Sequence, residues 1–225
     1  MDGLYFIIVI LMLIIPVIAQ INITTNYSKY KKIENKNKLS GFEVARKILD
    51  ANGLNDVHIV EVKGNLTDHY DPRRKVVRLS TDIFHGETIA SAAVAAHECG
   101  HAIQDKENYV YLRIRSMIVP MVNVTSYVAY IFILISFFLS EINLFWVAIF
   151  LMGFSIIFQL VTLPVEFDAS KRANINLNKL SLLADEELTG TEMMLKSAAL
   201  TYVASLLTSI LEILRLIVMF TGDRD

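Results

Sequence analysis

Four stretches of about twenty residues, each nearly free of charge, constrain this chain more than any other feature. They run over Leu4–Ile21, Met117–Ser140, Leu144–Leu163 and Ser197–Phe220. A helix rises about 1.5 Å per residue, so each is long enough to cross the hydrocarbon core of a bilayer. Within lipid the backbone must bond to itself, which leaves helices as the natural reading of such runs. Hydrophobic residues make up 54% of the 225-residue chain, more than a soluble domain of this size employs. The expected fold class is therefore a mainly α membrane protein with about four transmembrane helices and a small α+β domain outside them.

The expected division is a transmembrane anchor at 1–21, a polar segment at 22–116, transmembrane helices at 117–140 and 144–163, a polar helix at 164–196, and a last transmembrane helix at 197–220. The first stretch could also be a cleaved leader, with Val17-Ile18-Ala19 as its site. Asp2 stands where a leader carries basic residues, and position 17 is branched, so an uncleaved anchor is expected. Four spans put the two polar segments on one side. Fifteen of the 21 Lys and Arg residues lie in the first polar segment and four in the second. Lys29, Lys31, Lys32, Arg113, Arg115, Lys171 and Arg172 sit close to span ends, which makes that side cytoplasmic by the positive-inside rule. The expected location is a multi-pass cell membrane protein, bacterial in its Ile, Asn and Lys usage, with the lipid bilayer as one partner. Asn-x-Ser/Thr tripeptides at Asn22, Asn26, Asn65 and Asn123 carry no meaning in such a setting. Glu212 and Arg215, three apart in the last span, read as a local ion pair.

A net charge of −2 gives no sign of a nucleic-acid partner. The single cysteine, Cys99, excludes an intramolecular disulfide. Within the first polar segment, Ser40-Gly41-Phe42-Glu43 is a capping box that opens a helix over Gly41–Ala51, with Gly53 as its stop. Val57–Val62 and Val76–Leu79 read as strands, joined by turn signals at Gly64-Asn65 and Asp71-Pro72. An alanine-rich helix follows over Glu87–Gln104.

That helix carries His97-Glu98-Cys99-Gly100-His101. Two histidines four apart leave one helix face a turn from each other, so two neutral imidazoles can bind one Zn2+. Glu98 is angled to reach a water at the metal without ligating it, the place of a general base. Cys99 points off that face and reads as a buried filler. Two surface histidines on an ordinary helix are the plain alternative. A catalytic zinc needs a third protein ligand. Glu166 in Glu166-Phe167-Asp168-Ala169-Ser170 returns to the same side after the membrane hairpin and is preferred; Asp168, His58, His69 and His85 remain candidates.

These residues resemble the YugP-like neutral zinc metallopeptidases of bacterial membranes. The resemblance covers nearly the whole chain. It is carried by Glu43–Asp50, by Asp68–Arg73 with Lys75–Ser80, by Ala95–Gln104, by Leu163–Ser170 and by Ala198–Tyr202. The arrangement is also similar to the wider gluzincin group, including HtpX-like and CAAX-prenyl proteases. It implies a zincin-like domain and a polypeptide substrate. In that group the third ligand is the Glu of an E-x-x-x-D pattern; Glu166 matches the Glu, while Ser170 stands in the Asp position. Ser170 or Asp168 would then orient a histidine. The group's edge-strand mode of substrate binding points to Val76, Val77 and Arg78, by β-augmentation. His69 and Tyr70 are candidate donors to an oxyanion, or else members of a loop held by Asp68 and Asp71. The function expected is zinc-dependent hydrolysis of peptide bonds in membrane or membrane-proximal proteins. The alternative is a non-catalytic membrane adaptor that keeps a zinc site.

Overall fold

The computed structural model describes residues 3–65 and 67–222. Its elements are α1 (Gly3–Tyr30), α2 (Gly41–Ala51), β1 (His58–Val62), β2 (His69–Asp71), β3 (Val76–Ser80), α3 (Thr81–His85), α4 (Ile89–Lys106), α5 (Val110–Leu139), α6 (Ile142–Lys179) and α7 (Asp185–Gly222). Helices α1, α5, α6 and α7 are long and apolar enough to cross a membrane. Together with one small mixed sheet they make this a mainly α membrane protein, as the apolar stretches predict.

All four long helices outrun their apolar stretches at the polar end. The region 164–196 is accordingly not one separate helix. It is the last turns of α6 and the first turns of α7, joined by a turn in which Ser181 takes a positive φ of 49°. Nothing between Val165 and Lys179 breaks a helix, and propagation costs little once a helix is running. The start of α7 is acidic, with Asp185, Glu186 and Glu187 facing the positive end of its dipole.

The chain folds into two compact units. The first takes residues up to Gln20, Tyr111–Leu163 and the chain from Thr201 onward. Its apolar cluster is built on Ala129, Phe145, Met152 and Leu216, with the Phe145 and Phe220 rings stacked at 4.0 Å. The second unit takes Ile21–Val110 and Pro164–Leu200. Its core joins Val44, Ile48 and Leu49 of α2, Val77 and Leu79 of β3, the alanines of α4, and Ala173 and Leu177 of α6.

Local chemistry in the second unit follows the sequence closely. Ser40 Oγ accepts from Glu43 N while Glu43 Oε2 accepts from Ser40 N at 2.8 Å, which completes the capping box. Gly53 ends the turn with a φ of 65°, a conformation costly to residues with a Cβ. Asp71 Oδ1 accepts from the backbones of Arg73 and Arg74, an Asx turn that leads into β3.

The sheet order is β1-β3-β2, with β1 parallel and β2 antiparallel to β3. This corrects the expectation for Val76, Val77 and Arg78. They lie on the central strand, where β1 covers one side and β2 the other, so no free edge is left for a substrate strand. The missing signal is β2: three residues, His69–Asp71, are too short for a period-2 pattern to reveal.

Replacement of Ser40 by Ala should lower stability by about 1 kcal/mol, the usual worth of such a cap. Gly41→Ala should cost more, because a Cβ there would meet the Ile83 carbonyl oxygen at 2.2 Å. Apparent melting temperatures in detergent would order the two; a Gly41→Ala chain as stable as the parent would contradict the packing described.

Candidate metal centre

Helix α4 starts at Thr88, whose side chain accepts from Ser91 N. From there three turns of small residues bring His97 and His101 to the face opposite α6. Their rings lie 4.8 Å apart and nearly perpendicular. Gly100 makes the approach possible: a Cβ at that position would stand 2.5 Å from the carbonyl oxygen of Ala169 in α6. A mid-helix glycine is unfavourable on propensity alone, and here it lets two helix backbones close on one another.

The closure places Glu166, buried to 2% exposure, beneath both imidazoles. Its Oε2 lies 3.3 Å from His97 Nε2 and 3.7 Å from His101 Nε2. The three ligand atoms are all within 4.8 Å of one another, and among the described residues no other group of His, Cys, Asp or Glu converges in this way. Donors about 2.1 Å from one ion at tetrahedral angles stand roughly 3.4 Å apart, so the spacing suits a small cation between them. Two imidazoles and one carboxylate are a donor set that zinc accepts with a position left open.

The far nitrogens of the rings are also engaged. His101 Nδ1 is 3.0 Å from Gln104 Oε1. Gln104 is fully buried, and its Nε2 donates to the Val165 carbonyl and to Asp168 Oδ2, both at 2.8 Å. Those two acceptors fix which end of the amide is nitrogen. The oxygen facing His101 can therefore only accept, which requires a proton on His101 Nδ1 and leaves Nε2 as the nitrogen that faces Glu166. Asp168 is held in turn by Arg172 at 2.5 Å, and Arg172 by Glu107 at 2.7 Å. On the other ring, Ser170 Oγ is 3.3 Å from His97 Nδ1. Burial by itself would lower the His101 pKa, but the hydrogen bond to Glu166 and the charges of Glu98 and Glu166 hold it above its ordinary value. The field that retains a proton there also attracts a cation.

Glu98 is 8% exposed. Among the described residues no hydrogen bond or ion pair holds its carboxylate, whose oxygens keep contact with solvent. Cys99 packs against Ala45 with its sulfur 3.6 Å from that carbonyl, and burial pushes its thiol pKa up, as suits a filler.

The other sequence candidates lie outside this convergence. Asp168 is occupied by Gln104 and Arg172. His85 Nε2 pairs with Glu61, and His69 Nδ1 with the Thr67 carbonyl; His58 is on β1. The Tyr70 hydroxyl donates to Asp105, and burial first, then the Asp105 charge, drives its pKa up. Asp68 accepts from Ser80 N at 2.6 Å, so Asp68 and Asp71 both brace the chain around His69 and Tyr70. Gln104 was not among the candidates drawn from the sequence, although its position three residues after His101 on the same helix face was available as a signal.

A sequence profile described as "Putative neutral zinc metallopeptidase" matches residues 5–221. The chain is 44% identical over 207 residues to "Putative membrane protease YugP" of Bacillus subtilis (strain 168), covering 92% of each protein. No solved structure matches the chain.

Gln104→Leu would remove the acceptor for His101 Nδ1 and should weaken zinc binding by about 10- to 100-fold, the scale of a lost ligand-orienting partner. Competition with a chromogenic chelator measures this; unchanged affinity would show that Gln104 does not orient His101.

Proposed function

The chain belongs to the neutral zinc metallopeptidase family, and from that premise we propose that it is a membrane-embedded endopeptidase using His97, His101 and Glu166 as zinc ligands and Glu98 as the proton carrier. The observation that carries this reading is the convergence of His97 Nε2, His101 Nε2 and Glu166 Oε2, one residue away from Glu98, whose carboxylate has no partner of its own among the described residues.

A zinc ion held by these three residues supplies Lewis acidity toward a water and a peptide carbonyl. Glu98 accepts a proton from the attacking water as the water oxygen bonds to the carbonyl carbon. The same carboxylate then delivers that proton to the departing amine nitrogen as the C–N bond breaks. Gln104 and Ser170 keep the imidazoles turned toward the ion. Nothing else needs to bond Glu98, and that freedom suits a group that must exchange a proton twice per turnover. A zinc-holding adaptor would have no use for an unpaired acid at this position, which disfavours the non-catalytic alternative.

The substrates proposed are membrane or membrane-proximal polypeptides, met at the cytoplasmic face. Support for that side comes from the basic residues that flank the spans.

Glu98→Gln should keep its zinc and lose peptide cleavage by about 10³-fold or more, within the range by which a missing general base slows hydrolysis when other terms are intact. Native-like turnover in that variant would remove Glu98 from the mechanism. Elemental analysis should find Glu166→Ala depleted of zinc and Asp168→Ala largely loaded; the reverse pattern would reassign the third ligand. For the topology, Lys63→Cys in whole cells should react with a membrane-impermeant maleimide only after lysis, Cys99 being too buried to contribute. Labelling of intact cells would place the polar segment outside.

A further inference from the structure

The first unit holds a partly open cavity of about 620 Å3, walled by residues of α1, α5, α6 and α7. Ligand pockets span roughly 300–1,000 Å3, and one water takes about 30 Å3, so this is room for a guest. Helices in lipid pack on apolar and small side chains, Ser among them, and polar groups there bond across to a neighbour. The wall includes Ser126, Ser155, Gln159, Ser209 and Glu212 within the spans and Gln20 at the end of one, where a polar atom left without a partner is retained for a use.

Their bonding sets two of them apart. Hydroxyls elsewhere in these helices return to their own backbone: Thr125 to Val122, Ser136 to Ile133, Thr162 to Phe158. Ser126 and Ser155 do not, and among the described residues neither hydroxyl has a hydrogen-bond partner. Gln159 donates Nε2 to Ser209 Oγ, while its carbonyl oxygen is buried without a partner among the described residues. Turning that amide over would only orphan the nitrogen instead. Glu212 is already paired, with Arg215 at 2.7 Å.

A guest suited to this wall must bring donors and acceptors close together. A lipid tail brings neither. An intact transmembrane helix spends its N–H and C=O groups on itself. Backbone released from a helix offers one of each per residue, and it is tolerated at membrane depth only where it lines or enters a polar cavity. We propose that this cavity receives a non-helical stretch of a membrane-spanning polypeptide, whose backbone N–H and C=O groups bond to the polar wall. The proposal rests on the peptidase reading and sharpens it: substrates would be transmembrane segments that break easily, chosen by their local helix weakness.

Capture can be read without turnover. The full-length Glu98→Gln chain is placed in lipid nanodiscs with a photoreactive phenylalanine at Tyr130, an aromatic already in the cavity wall, or at Phe150, which is 69% exposed. The probes are two membrane-spanning Leu/Ala peptides, alike except for a central Gly-Pro pair in one and Leu-Leu in the other. At Tyr130 the Gly-Pro peptide should be labelled roughly tenfold more than its twin, the discrimination given by a pair of well-made hydrogen bonds; at Phe150 the two should be equal. Ser155→Phe, which fills the cavity, should abolish the preference. Equal labelling of both peptides at Tyr130 overturns the proposal, as does a preference that survives Ser155→Phe. The comparison of the two peptides stands by itself should the Ser155→Phe chain not fold. Cleavage by the Glu98-containing chain is scored separately, so a chain that captures the Gly-Pro peptide but cuts nothing would refute the peptidase reading and leave the cavity assignment intact.

Discussion

The close approach of α4 to α6 at Gly100 governs the site. A helix surface normally keeps its neighbour 8–10 Å away, axis to axis, because side chains intervene. Where a glycine lies against the Ala169 carbonyl, the separation is set by backbone. Only then do side chains as short as histidine and glutamate meet across the gap, at 3.3 and 3.7 Å. The alanine run before the motif serves the same end, since Ala92, Ala93, Ala95 and Ala96 are all fully buried. Helix α4 is thus narrow along most of its length and is gripped on several sides by α2, α3 and the sheet.

From that approach a chain of polar partners extends away from the metal face. His101 meets Gln104, Gln104 meets Asp168, Asp168 meets Arg172, and Arg172 reaches Glu107 at the end of α4. The charges stand at the outer, partly exposed end, where they need little compensation. The buried members are neutral or bonded on every side, which is the arrangement a low-dielectric interior tolerates. The chain begins and ends on α4 and passes through α6, so it ties the two helices as well as orienting a ring.

Much of this was legible beforehand, for identifiable reasons. Long apolar runs declare themselves because lipid permits few alternatives to a helix. The capping box at Ser40 and the stop at Gly53 are local chemistry and needed no tertiary knowledge. The histidine pair is visible because its spacing matches the helical repeat. Glu166 could be proposed from topology, since a hairpin must return to the side it left. The central place of β3 could not be read, because it depends on a three-residue strand that only its partner stabilises. The extent of α6 and α7 was equally hidden: polarity marks where a span ends and says little about where the helix does. Gln104 was missed because an amide among histidines and acids carries no metal-binding connotation, and its role depends on the Val165 carbonyl and Asp168, 61 and 64 residues away.

The partners of the two rings have a consequence for electrostatics. One is a hydroxyl and the other an amide; neither carries charge, so neither makes its imidazole more basic as a carboxylate would. Under the proposed ligation, Glu166 is then the sole anion in direct contact with a divalent ion, and the ensemble keeps one surplus positive charge. Under the same proposal Glu98 would neutralise it. A proton passed from the water to Glu98 would leave the total charge unchanged and move one negative charge from that carboxylate toward the carbonyl oxygen, beside the ion. The position of a single proton would thus decide where in the pocket the negative charge stands.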